Sequence, residues 1–597
     1  MISQDGFLVA LRLLLLLFAA PVFFSCSGPD DSGRTDHQPA QYLLTPEEAA
    51  SKAGYTEILG TLGGGFLALD PSKQKRLLYQ TGSHYEMGFQ MGYLASRGTA
   101  VMVHDYLDEF LFDMLDLPIQ HEDLGPMWTL IRDLLIALTL PSALEVPHEF
   151  LQEMAGIAAG YGEAQRQGLP GTERKVTVAD LLLLNQGMDV ITSLTYNTLG
   201  RVGIACNQFA CWGSRTPKGE LLHGRDFQFY NAGVYQDEAL VAIYVPTESP
   251  TLSGRTQNAA PGVDAGSLAG LPENGVDRDW GQADNGFGSA NTSPEEPPGY
   301  PFATVTAPGF VGLTTGLNAQ GISAGIDVVH CWPGRAGDPG LGGLLLVRKI
   351  LEEASSLDEA TDIIREADRG CPWIYLLADG KLPGAVTLET IQSNPPDPWM
   401  ERLYQKNLRL ARDLLGETVE SVEPVNGVCV RPSDFVLEEH YRGKAFEVPG
   451  YSNSSKYPND HTLLNISFPD PLEELPDLVA VTNHYLLPWM RLYQWAPLVW
   501  LVWQQYWPSS EWRYQTMVQI LLEQTADGAS FDWDAAWTVI DFLNPATENG
   551  AFFYGPEVDQ AVAGHVCLMD DRNLVLRALY GHYNQPWVEV NLADFLP

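Results

Sequence analysis

An α+β fold is what this sequence predicts, and three observations carry that expectation. Apolar residues recur at helical spacing from about Leu44 to Ile204. From Cys206 onward, short apolar segments are separated by Gly and Pro turn signals, the pattern of paired strands. The final segments, Phe552 to Tyr554, Val566 to Met569 and Leu574 to Tyr580, again read as strands. The chain has 597 residues, with 35 Lys+Arg against 75 Asp+Glu and a net charge of −40. A field of that sign repels phosphate backbones, so nucleic acid is excluded as an expected partner.

Residues 1–26 read as an export signal. Arg12 precedes the apolar run Leu13 to Phe24, which is too short to span a bilayer and suits a signal core. The run ends Phe-Phe-Ser-Cys26, which resembles a bacterial lipobox. Cys26 would then be lipidated, and the chain would be a membrane-anchored envelope lipoprotein, periplasmic or on the outer membrane or surface. An ordinary cleaved signal is the other reading. Residues 27–43 are polar and rich in Pro and Asp, a flexible tether.

Residues 44–205 are expected to form a mainly helical N-terminal part. Ser83-His-Tyr-Glu86 is a capping box, followed by Met87, Met91 and Leu94 at helical spacing. Pro147 to Gly168 is a second helix, and Thr177-Val-Ala-Asp180 caps a third. None of these helices carries a catalytic constellation alone.

Residues 206–597 are expected to be β-rich. Cys206 to Trp212 and Glu220 to Phe229 form a hairpin around Thr216-Pro-Lys-Gly219. Its return strand mixes His223, Arg225 and Asp226 with aromatics, an odd composition for a strand that only fills a core. Cys206 and Cys211 read alone are buried thiols or a disulfide pair. Leu240 to Val245 is a strand. Residues 248–300 are rich in Gly, Pro, Asn, Asp and Ser and read as a disordered insertion. Two further hairpins are expected, one turning at Asn318-Ala-Gln-Gly321 and one pairing Trp373 to Asp379 with Ala385 to Glu389. Leu344 to Ala367 reads as one amphipathic helix with Arg348 on its flank. The seven cysteines show neither zinc-site spacing nor a spacing that selects a disulfide, so neither metal nor cofactor is expected.

The hairpin's cysteine, preceded by a small residue and answered by Gly224-Arg225, resembles the N-terminal nucleophile (Ntn) hydrolases of the isopenicillin-N acyltransferase family. These are related to acid ceramidase and the choloylglycine (bile-salt) hydrolases. Gly82 to Gly88, Glu153 to Gly160, Pro308 to Asp327 and Val481-Thr-Asn-His-Tyr-Leu486 are similar to that family as well. The resemblance implies a four-layer αββα sandwich. It also implies autocatalytic scission of the Ala205–Cys206 bond, after which the Cys206 α-amine takes the proton of its own thiol. Arg225 and Asp226 would orient and charge-balance that centre, and Asn483 would stabilise the oxyanion. Gln228, Asp327, His330 and Arg513 would line the site, while His84 and His484 would serve structure. One departure stands out. Relatives place Asn-x-Asp after Gly-Arg, whereas here Asp226 and Gln228 have traded the carboxylate and carboxamide. The implied reaction is hydrolysis of a linear small-molecule amide through a thioester, or transfer of its acyl group. The alternatives are a non-catalytic envelope lipoprotein on the same scaffold and an uncleaved lipid or ester hydrolase. The segment between Arg491 and Glu511, crowded with Trp495, Trp500, Trp503 and Trp507, reads first as a packed helix, and tryptophans lining an acyl pocket are its other reading.

Overall fold

A computed structural model describes residues 44–114, 125–195, 206–228, 234–247, 299–329, 340–393, 424–433, 476–487, 507–525, 531–542, 563–581 and 586–596, with residues 402, 405, 409 and 490. Cys26, the tether, Ala205, almost all of the 248–300 insertion, His330, Trp500 and Trp503 lie outside the described residues, as does the side chain of Gln228.

The chain opens with α1 (Pro46–Lys52) and then departs from the helical expectation. Three antiparallel strands follow: β1 (Glu57–Leu62), β2 (Gly65–Asp70) and β3 (Lys75–Gly82). Gly63 and Gly64 both hold positive φ and turn β1 into β2. The apolar run in β2 is short and closed by Pro71. Length, not periodicity, separates such a run from a helical segment.

Helices α2 (His84–Leu94), α3 (Ser96–Val101), α4 (Leu107–Met114), α5 (Pro126–Thr139), α6 (His148–Arg166) and α7 (Val178–Thr195) come next. Ser83 and Glu86 cap α2 reciprocally, and Thr177 with Asp180 does the same for α7. Helices α2 and α6 touch backbone to backbone. A Cβ on Gly92 would fall 2.0 Å from the Ile157 carbonyl oxygen, and one on Gly160 would fall 2.1 Å from that of Phe89. Gly92→Ala must therefore force the pair apart. We expect a loss of about 1–3 kcal/mol, the range for overpacking a tight contact, read by chemical denaturation.

The remaining strands are β4 (Asn207–Cys211), β5 (Leu222–Gln228), β6 (Leu240–Pro246), β7 (Phe302–Thr306), β8 (Thr315–Asn318), β9 (Ile322–Val328), β10 (Trp373–Asp379), β11 (Gly384–Thr390), β12 (Val428–Pro432), β13 (Leu478–Val481), β14 (Ala563–Asp570), β15 (Val575–Tyr580) and β16 (Val588–Asn591). The helices among them are α8 (Val234–Glu238), α9 (Gly343–Glu353), α10 (Leu357–Glu366), α11 (Trp507–Gln524) and α12 (Trp533–Phe542). The single helix expected over Leu344 to Ala367 is two. The chain breaks at Ala354, and Ser356 restarts it by accepting from the Glu359 N–H at 3.2 Å. Arg348 is fully buried, not on a flank. The Val481 to Leu486 segment leaves strand pairing after Val481, which matters for the site.

Two sheets result. One runs β1-β2-β3-β6-β7-β8-β9-β10-β11-β12, antiparallel throughout except for the β3–β6 pair; the other runs β13-β4-β5-β14-β15-β16, wholly antiparallel. They face each other, because polar side chains bridge them. His223 on β5 meets Ser323 on β9, and Arg431 on β12 donates to the Ala480 carbonyl on β13. Helices α2 and α9 cover the outer face of the larger sheet, while α11 and α12 cover that of the smaller one. The architecture is the expected α+β sandwich of four layers, αββα.

Candidate active site

Cys206 stands at the head of β4, the first residue before the hairpin pairing begins. Strand alternation sends Cys206, Gln208, His223, Arg225 and Phe227 into the space between the sheets. Asn207 and Asp226 go to the opposite face, where they are cross-strand neighbours. Every one of these side chains is buried.

Three groups of contacts hold Cys206. Its backbone N–H donates to Asn483 Oδ1 at 2.8 Å. Its carbonyl accepts from Arg513 Nη1 at 2.8 Å, and the same guanidinium donates to Asn207 Oδ1 at 2.6 Å and Asn483 Oδ1 at 2.9 Å. Its thiol lies beside the Arg225 guanidinium and the Asp327 carboxyl, close enough to act on the charge of both.

Asn483 is aimed by the bend that follows β13. Thr482 and His484 both bond to Ser510 at the start of α11, the latter through Nδ1 and the Ser510 hydroxyl at 2.7 Å. Glu389 on β11 accepts from the backbone N–H groups of Leu486 and Leu487 at 2.9 and 3.2 Å, closing the bend from the other sheet. Asn483 Nδ2 then donates to the Val328 carbonyl at 2.7 Å. His484 thus belongs to the support of the site.

Arg225 and Asp327 form an ion pair at 2.6 Å with both side chains wholly buried. Arg225 also donates to the Asp226 carbonyl at 2.9 Å and to the Ile326 carbonyl, and its guanidinium carbon lies 5.5 Å from the Phe227 ring centre. Burial opposes the Arg225 charge, but Asp327 and the thiol outweigh it and keep the cation firmly protonated. Burial raises the Asp327 carboxyl above the ordinary carboxylate value, and Arg225 only partly offsets that. A carboxyl so placed can take up and return a proton beside sulfur.

The structure therefore brings together Cys206, Arg225, Asn483, Asp327 and Arg513. Asp226 is set apart. Its Oδ2 accepts from Asn207 Nδ2 at 2.9 Å, which links it to Arg513 through the Asn207 oxygen, and its charge also acts on Arg225 from the opposite face. The carboxylate beside sulfur comes from β9 instead. Sequence reasoning also passed over Asn207 and Gln208. The signal available for Gln208 was its place two residues beyond Cys206, on the same inward face.

A sandwich of two antiparallel sheets between helices, with a buried cysteine heading its central hairpin, defines the Ntn-hydrolase class. Residues 289–395 match the family described as acyl-coenzyme A:6-aminopenicillanic acid acyl-transferase, in agreement with the resemblance carried by the sequence. An uncharacterized protein of Archaeoglobus fulgidus is 27% identical over 536 residues, covering 89% of this chain and 67% of its own length. Among solved structures, an N-acylethanolamine-hydrolyzing acid amidase ortholog of Caenorhabditis elegans is 10% identical with a TM-score of 0.28, over 62% of this chain and 93% of that one. A conjugated bile acid hydrolase mutant of Clostridium perfringens is 9% identical with a TM-score of 0.26, over 65% and 93% of the respective chains.

Proposed function

We propose that this chain is an autoprocessed cysteine amidohydrolase or acyltransferase acting on a linear amide with an apolar acyl group. The observation that carries the reading is the threefold hold on Cys206, whose nitrogen, carbonyl and thiol are each met by separate buried polar groups. A cysteine that only fills a core has no need of two arginines and an asparagine.

In this reading the Ala205–Cys206 bond breaks first. The freed Cys206 α-amine, held by Asn483 Oδ1, then takes the thiol proton, and Arg225 balances the thiolate charge. The thiolate attacks the amide carbonyl, the amine leaves with the proton, and water or an amine acceptor resolves the thioester. Arg513 fixes the Cys206 carbonyl while this happens. Asn483 donates one N–H of its carboxamide to the Val328 carbonyl. In this reading its second N–H is the donor to the oxyanion.

The apolar acyl group is supported by a narrow cleft lined by Tyr106, Phe110, Leu184, Met188, Phe227 and Tyr235, whose Phe227 ring centre lies 5.5 Å from the Arg225 guanidinium carbon. This cleft, built from α4, α7, β5 and α8, takes the place in the proposal that the tryptophans held in the sequence reading. The proposal includes export and lipidation at Cys26, so Cys26→Ala should move the protein from the membrane pellet to the soluble fraction.

Intact mass measurement tests the central claim. The wild-type chain should give two fragments divided before residue 206, and Cys206→Ala should stay whole. A wild-type chain of one uncut mass, inert toward N-acyl amino acids, ceramides, bile conjugates and penicillins, would defeat the proposal.

A further inference from the structure

A second buried polar cluster lies between the sheets, behind the thiol. Asp571, just past the end of β14, contacts Ser323 Oγ on β9 at 2.5 Å. Ser323 Oγ lies 2.7 Å from His223 Nδ1, and His223 Nε2 lies 3.3 Å from Gln208 Oε1. The Gln208 carboxamide lies near enough to Asp327 to favour its ionised form, and among the described residues neither Gln208 Nε2 nor either Asp327 oxygen makes another hydrogen bond. All four residues are fully buried.

We propose that Asp571, Ser323, His223 and Gln208 form a positioning relay that holds Asp327 in place for the Cys206 thiol; this rests on the thiol-nucleophile reading above.

Donor and acceptor counting gives the relay one consistent direction. His223 is buried beside Arg225, and these two effects bring its pKa down to about 3, so the ring is neutral with a single N–H. Facing the Gln208 carbonyl oxygen, that N–H must be on Nε2, leaving Nδ1 to accept from the Ser323 hydroxyl. Ser323 Oγ must then accept from Asp571, which requires Asp571 to be a neutral acid. Its surroundings agree. Among the described residues Oδ1 of Asp571 has no hydrogen-bond partner, the neighbouring charges Asp570 and Asp379 are both acidic, Arg572 is exposed, and Lys381 is turned to the Ser355 carbonyl. With its oxygen engaged by His223, Gln208 has its N–H2 for Asp327. Turned the other way, the amide would set its oxygen against a carboxylate. Space for this geometry comes from Gly325, where a Cβ would fall 1.9 Å from Gln208 Oε1.

The test is the pH dependence of Cys206 alkylation by iodoacetamide in the processed full-length chain, read by peptide mass spectrometry from pH 5 to 9. Asp571→Asn keeps a donor toward Ser323 and should stay within about twofold of wild type. Asp571→Ala and Ser323→Ala break the relay and should slow alkylation at neutral pH by about tenfold, moving the profile's midpoint. A packing role alone would lower the melting temperature of these variants and leave the midpoint in place, which would overturn the relay. Asp571→Asn behaving like Asp571→Ala would overturn it too, because a charge and not a donor would then be required. The Asp571 pair decides the matter if Ser323→Ala does not fold. A wild-type Cys206 untouched by iodoacetamide would remove the thiol reading itself, and the relay with it. A reactive wild type with unmoved variants removes the relay alone.

Discussion

Arg225→Met should abolish both self-cleavage and turnover and should destabilise the fold by about 3–5 kcal/mol, the usual result of stripping one partner from a buried ion pair. Two losses are combined in that one substitution. Asp327 would lose its ion-pair partner and keep only the weaker influence of Arg513, and the thiol would lose the positive charge that offsets a thiolate. The double variant Arg225→Met/Asp327→Leu separates them. Replacing both ions with apolar groups of similar size should recover most of the stability while leaving the chain whole. Denaturant unfolding and intact mass, measured on the same samples, check this. Fragments appearing in the double variant would show that sulfur needs neither charge.

Arg348→Met should be as costly to stability, again about 3–5 kcal/mol, yet should leave the chemistry at Cys206 intact in whatever fraction folds. Arg348 is sealed between helices. It donates to Glu153 Oε2 at 2.8 Å and to Glu352 Oε1 at 2.6 Å, and its guanidinium carbon lies 4.3 Å from the Tyr244 ring centre and 4.7 Å from that of Phe302. Burial opposes ionisation of Glu352, but Arg348 and His84 outweigh it and bring its pKa down to about 2. A depressed carboxylate contributes stability above its unfolded value and loses it as pH falls through the folded one. The Glu352 contribution should therefore fade between about pH 4.5 and 2 in the wild-type chain. In Arg348→Met, acid would instead relieve the stranded carboxylates. The stability gap between the two proteins should narrow below about pH 4, measured by urea denaturation. A constant gap would mean that Arg348 acts through packing alone.

Much of this was legible because it is local. The capping boxes at Ser83 and Thr177, the Asn318 to Gly321 turn and the Cys206 hairpin are each specified within a few neighbouring residues, and each is present in the structure. Distance in sequence hid the rest. Nothing near Arg348 announces Glu153, so helical periodicity places it on a flank when a second layer of structure in fact closes over it. The same limit governs the carboxylate at the thiol. Alternation along β5 correctly sets Asp226 opposite Arg225, but only sheet stacking reveals that β9 supplies Asp327 across the gap. Ser323 and Asp571 carry no local mark at all. They acquire meaning only through His223, which meets Ser323 from the facing sheet, while Ser323 meets Asp571 at the end of the neighbouring strand β14. The early strands β1 to β3 were lost for a different reason, since a short apolar run bounded by Gly and Pro looks alike to either period.

The parallel β3–β6 junction has a bearing on what scission would produce. The strands before residue 206, β1 to β3, join the rest of the larger sheet through the β3–β6 pair, while β6 and the strands beyond it lie after the cut. Lys52 reaches Asp594 at 2.8 Å, and the Tyr55 hydroxyl meets that of Tyr580 at 3.3 Å, so both ends of the chain fasten the same seam. A nick would thus yield two polypeptides that travel as one particle, inseparable by gel filtration in native buffer and parting only in denaturant.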